Sequence, residues 1–203
     1  MTRLLLLTLP LSACATRVIA VPAESLAARS VNDGAVSIRV DHDPYRVRGT
    51  THDAIRRSLD RRSTYEDAQG QTWDGGTTWH FRWRWETAED GGCQIVRPAL
   101  TGDITVTVPA LVVPRRTDAG AVDRFAAYLD ALWQHEVGHV DRAARAARAL
   151  VDSLARLPPA TTCAEAQAAA KSTGAAAMKA LDAEQRAYDR ATDHGATQGA
   201  TFP

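Results

Sequence analysis

The run His135-Glu136-Val137-Gly138-His139 places two imidazoles and a carboxylate at a spacing that supports hydrolytic chemistry. On an α-helix residues i and i+4 share a face, so both rings can reach one ion at bond lengths of roughly 2.0–2.1 Å. Glu136 then lies beside them, where it can polarise a metal-bound water. The ion this set calls for is Zn²⁺, with His135 and His139 as ligands and Glu136 as general base. A catalytic zinc takes three protein ligands and keeps a position open, so the pentapeptide is incomplete by itself.

The missing donor has to come from far along the chain. A metzincin continuation would need Gly at 142 and His at 145, and both positions are Arg. The C-terminal region offers His194, an imidazole placed before Gly195, with Glu184 and Asp189 as carboxylate alternatives and Asp193 close by. His194 is the expected third ligand. If Glu184 served instead, Asp189 would stand within reach of a ligating imidazole. Tyr188 is a candidate hydrogen-bond donor to a developing oxyanion, with simple packing as the plainer alternative. His42, His52 and His80 have no ligand-like spacing and read as surface or hydrogen-bonded residues.

These groups need elements to position them. Over residues 121–157 apolar side chains recur every three or four positions, with no Pro and with Gly138 as the only internal Gly. That is one long amphipathic helix with the motif well inside it. Gly138 costs on the order of 1 kcal/mol relative to Ala, and a small residue there suits close approach of another element. Residues 77–85 alternate strictly, with Trp79, Phe81, Trp83 and Trp85 on one face and His80, Arg82 and Arg84 on the other. Such an aromatic face has to be covered, and the motif helix is the expected cover. Strands are expected over 36–47, broken near Asp43-Pro44, and over 93–97 and 101–108, with Pro109 ending the last. Thr50 or Thr51 starts a short helix through Leu59, and Thr161 or Thr162 starts a helix running toward Arg190. The order predicts an α+β fold, a small antiparallel sheet packed against the motif helix and a C-terminal helix.

With 24 basic and 24 acidic side chains among 203 residues, nothing in the charge calls for a nucleic-acid partner. Residues 1–20 read as a signal peptide, a basic start followed by an apolar run of about 12 Å, too short for a stable membrane span. Leu11-Ser-Ala-Cys14 resembles a bacterial lipobox, in which the chain is cut before a Cys that then carries lipid. Cuts after Ala20 or Ala23 are the rivals, and either route exports the protein. Residues 21–35 are then a tether and 36–203 the folded domain. The remaining pair, Cys93 and Cys163, is expected to form a disulfide in an oxidising compartment, with buried free thiols as the alternative.

Several of these stretches together resemble the bacterial domain of unknown function 922, whose members are regarded as secreted zinc-dependent proteases of zincin type. The likeness runs over residues 36–200. It rests on Tyr45-x-Val47-x-Gly49, the 79–85 strand, Cys93, the strand before Pro109, His135-Glu136-x-Gly138-His139, Cys163 and Tyr188-Asp189-x-x-Thr192-x-His194-Gly195. Ala110-Leu111 departs from the aromatic usual after the proline. The resemblance implies a zincin-like metallopeptidase acting on a peptide or protein substrate in the periplasm or cell envelope. A non-catalytic envelope module with a structural zinc and a zinc amidase acting on peptidoglycan are the competing expectations.

Overall fold

The structure is a computed structural model that describes residues 17–22, 25, 28–67 and 70–203. Most of the expected signal peptide, including the proposed lipid site Cys14, lies outside the described residues.

Alternation sets the strands. β1 (Arg17–Ile19), β2 (Val31–Asn32), β3 (Val36–His42) and β4 (Tyr45–Arg48) lead into α1 (His52–Arg62). In β3 Val36, Ile38 and Val40 are buried while Ser37 and Arg39 face solvent. Thr51 caps α1 by accepting a hydrogen bond from the Ala54 amide. A short hairpin, β5 (Tyr65–Glu66) with β6 (Thr72–Trp73), precedes the long pair β7 (Gly76–Glu89) and β8 (Cys93–Thr107), and then β9 (Pro109–Val113). The chain ends in α2 (Ala119–Ala155), α3 (Cys163–Thr192) and a 3-10 turn (Ala196–Gln198).

The sheets are mixed, which corrects the antiparallel expectation. One has the order β2-β3-β8-β7, with β3 and β8 parallel, and the other has the order β1-β9-β4, with β4 and β9 parallel. The reason is topological. α1 and the two hairpins return the chain to the end where β3 began, so β8 and β9 run alongside β3 and β4 in the same direction. The register continues across both breaks, Val36 facing Leu100 and Tyr45 facing Pro109. Pro109 therefore does not end the strand region; it marks the step from one sheet to the other.

Two further features go beyond these expectations. β1 and β2 lie in the segment read as signal peptide and tether, and β1 pairs with β9, with Ile19 packed against the core. The aromatic face of β7 is covered by both long helices, not by α2 alone. α3 crosses it at Gly174, where a Cβ would collide with the Trp83 indole. The Gly that weakens the helix on propensity grounds is what lets the helix close on the sheet.

α2 packs on β8 through a continuous apolar stripe that includes Phe125, Leu150 and Leu154, each almost fully buried. α3 starts with a capping box, in which Thr162 and Glu165 exchange hydrogen bonds with each other's backbone amides. Directly beside that cap, Cys163 is disulfide-bonded to Cys93 at the start of β8. The bond closes a loop of 70 residues that contains the whole of α2. Replacing both cysteines with Ser is expected to lower the unfolding free energy by about 4 kcal/mol, read as a lower urea midpoint. An unchanged midpoint would mean that the clamp contributes nothing.

Candidate metal centre

His135 and His139 lie on the buried face of α2, and both are held against α3. Gly138 makes that contact possible, because a Cβ there would occupy the position of the Tyr188 phenol. With the two helices this close, Asp189 reaches the imidazoles. His135 Nε2 and His139 Nε2 are 3.2 Å apart. Asp189 Oδ1 stands 2.9 Å from His139 Nε2 and 3.4 Å from His135 Nε2. Tetrahedral zinc with bonds of roughly 2.0–2.1 Å separates neighbouring donors by about 3.3 Å, so these three atoms match one face of its coordination shell. Among the described residues no other trio of His, Cys, Asp or Glu donors gathers in this way.

The outer ring nitrogens are held by amides. Gln185 Oε1 lies 2.6 Å from His139 Nδ1, and Gln185 Nε2 donates to the His139 carbonyl at 3.0 Å. Gln198 Oε1, on the C-terminal 3-10 turn, lies 3.0 Å from His135 Nδ1. An amide oxygen accepts a hydrogen bond and cannot give one, so each Nδ1 carries hydrogen and each Nε2, once it gives up its own proton, can turn a lone pair to an ion in the cluster.

Glu136 is 2 % exposed and accepts a hydrogen bond from Thr77 Oγ1 at 2.8 Å. Burial raises its pKa, against the pull of His139, His135 and the Thr77 hydroxyl. Burial acts on His139 in the opposite sense, but the hydrogen bond it donates to Asp189 and the charges of Glu136 and Asp189 outweigh it and its pKa is raised. Asp189 is the counterpart. Although burial opposes ionisation, hydrogen bonds and charge from His135 and His139 drive its pKa well below the ordinary carboxylate range.

The expected third ligand, His194, is not in the cluster. α3 ends in two non-glycine left-handed residues, Asp193 at φ 48° and His194 at φ 49°, which turn the chain away from the helix axis. The His194 ring stacks on Trp73, with centroids 3.9 Å apart. Glu184 also faces elsewhere, toward Arg145 at 3.3 Å and Arg142 at 3.8 Å. Residues five apart on a helix point about 140° apart, so Glu184 and Asp189 cannot both face the cluster, whereas Gln185 and Asp189 can. Tyr188 sits behind the imidazoles. Its ring stacks on His135 at 5.0 Å, the Arg142 guanidinium lies 3.5 Å over it, and its hydroxyl donates to the His135 carbonyl at 3.4 Å. That position packs the phenol against the imidazoles and outside the cleft lining. His42 and His52 bury their Nε2 atoms in the interior, away from the cluster.

The cluster opens into a cleft of about 900 Å³ whose lining includes Tyr65, Trp73, Trp79, Leu132, Arg186 and Arg190. The C-terminal tail forms one wall, and Phe202 anchors it by packing against Phe125 and Tyr128 at 5.8 and 5.4 Å. Sequence reasoning did not single out Thr77, Gln185, Gln198 or Tyr65. Gln185 was accessible through its four-residue spacing from Asp189, but the others reach the site from separate elements and leave no local pattern.

The fold and cluster define an α+β protein with a candidate metal centre between two helices. Residues 42–195 match the family model described as "Bacterial protein of unknown function (DUF922)", and the chain belongs to that family. No curated protein and no solved structure matches it.

Zinc titration against a chelating competitor should separate the donors. Asp189→Ala is expected to weaken binding on the order of 10³-fold, whereas His194→Ala should leave it within about threefold of wild type. The His139 pKa stands above its ordinary 6.5, and this ligand must lose its proton to bind. Affinity should therefore fall as the pH is lowered, and from a higher pH than for an imidazole with its ordinary proton affinity. A larger loss for His194→Ala than for Asp189→Ala would contradict the assignment.

Proposed function

We propose that the protein is an exported zinc-dependent metallopeptidase of zincin type, with His135, His139 and Asp189 as metal ligands and Glu136 as general base. The observation that carries the reading is Glu136 itself. A carboxylate buried beside two ligating imidazoles, with burial raising its proton affinity, suits a group that must take up and release a proton. A purely structural zinc has no use for it, which counts against the non-catalytic envelope module.

Zinc, when bound, supplies a Lewis acid and lowers the pKa of water toward about 7. Glu136 accepts the proton of the attacking water and delivers it to the leaving nitrogen, so the carboxylate ends the cycle as it began. Tyr65 lines the same cleft, and its pKa is pushed up to about 12 by burial and by the charges of Glu136 and Asp189. Its hydroxyl stays protonated at neutral pH and is a better placed donor to a developing oxyanion than Tyr188. β7 is the outer strand of its sheet and enters the cleft at Gly76 and Thr77, so it can align an extended peptide by strand addition.

Export with a lipid anchor at Cys14 is part of the proposal. Cuts after Ala20 or Ala23 would remove β1, whereas a cut before Cys14 retains its pairing with β9, which supports the lipoprotein route. No helix among the described residues is long and apolar enough to cross a membrane.

The test compares wild type and Glu136→Gln on a mixed peptide library and on peptidoglycan fragments, both proteins loaded with zinc. Wild type is expected to cleave peptides, and Glu136→Gln to lose about 10²- to 10⁴-fold in turnover while retaining zinc. Cleavage confined to peptidoglycan amides would move the substrate to the amidase class. Equal rates for the two proteins would remove the enzyme reading in favour of a binding module.

A further inference from the structure

We propose that Thr77 is the positioning residue of the general base, its hydroxyl holding Glu136 Oε2 so that Oε1 is left to face the attacking water. The inference rests on the hydrolase reading and adds a residue to it.

The Thr77 hydroxyl has two acceptors in range, Glu136 Oε2 at 2.8 Å and the Glu136 carbonyl at 3.4 Å. A single proton serves the nearer one. Thr77 is 5 % exposed and Glu136 2 %, so little of either side chain is open to water. Threonine is stiff about χ1, so a fixed strand backbone leaves its hydroxyl oxygen few positions.

The chain just before Thr77 is held from four elements. Arg56 grips both carboxylate oxygens of Asp74, at 2.6 and 2.7 Å. Tyr128 donates to Asp74 Oδ2 at 2.7 Å, and Tyr45 donates to the Asp74 carbonyl at 2.7 Å. The Tyr65 ring then packs directly on Gly76. α1, α2, β4 and β5 thus contribute one anchor each to a segment that ends at the Thr77 hydroxyl. None of these anchors touches a metal donor. Through Thr77 they deliver one hydrogen bond to one carboxylate oxygen of the centre.

Three proteins test this: wild type, Thr77→Val and Thr77→Ser, all purified as the full chain and loaded with zinc. Zinc affinity should be unchanged in both variants. Thr77→Val should lower kcat about 10- to 100-fold with KM within about threefold, because the base is misplaced while the substrate contacts remain. Thr77→Ser, which keeps the hydroxyl, should recover kcat to within about threefold of wild type. A second readout does not depend on turnover. In the metal-free proteins Thr77→Val should lower the thermal midpoint clearly more in the wild-type background than in a Glu136→Ala background, where only the backbone carbonyl remains as an acceptor. Wild-type kcat in Thr77→Val, or an equal midpoint shift in both backgrounds, would overturn the proposal. A wild type that turns over nothing would overturn the hydrolase reading beneath it, and with it this role for Thr77.

Discussion

A carboxylate on one helix can meet two imidazoles on another only if the two helices touch with almost nothing between them. Here the contact is Gly138 against the Tyr188 phenol, and the rest of the candidate centre follows from it. A helix is close to a rigid rod, so the position of Asp189 depends on how α3 is held along its whole length. Three contacts hold it. The Cys93–Cys163 disulfide fixes its start, the Gly174–Trp83 contact its middle, and the Gly138–Tyr188 contact the turn that carries Asp189. The Gly174–Trp83 contact and the disulfide, neither of them among the residues of the cluster, are in this sense part of the candidate metal centre.

The electrostatic arrangement follows the same economy. Each imidazole is supported from behind by a neutral glutamine amide, which fixes the tautomer without adding charge. The one carboxylate that touches both imidazoles is Asp189, kept ionised by them and so available to a cation. Glu136 is the second buried carboxylate, and it differs in environment. It is enclosed by protein and held by a hydroxyl, with its proton affinity raised where that of Asp189 is lowered. Two carboxylates pushed in opposite directions are suited to two roles, ligand and base.

Much of this was legible in the sequence because it is local. The motif helix, its buried stripe, the capped starts of α1 and α3 and the aromatic alternation of β7 are each written in a few neighbouring residues. The parallel pairing of β3 with β8 and of β4 with β9 is not local, since it depends on the return path of the chain. The third donor shows where sequence reading stops. His194, Glu184 and Asp189 are all chemically able to bind zinc, and only helix phase and the left-handed turn at residues 193–194 separate them. Gln198 and Thr77 reach the site from a tail and a strand edge, and their roles rest on tertiary contacts that no short pattern encodes.

The central claim is that the ion is held by two imidazoles of one helix and a carboxylate of the next. X-ray absorption at the zinc edge of the loaded protein reads that shell directly. The account predicts a first shell of nitrogen and oxygen donors at roughly 2.0–2.2 Å, no sulfur, and the outer-shell scattering of two imidazoles. A shell fitted by three imidazoles, or one that contains sulfur, would contradict it.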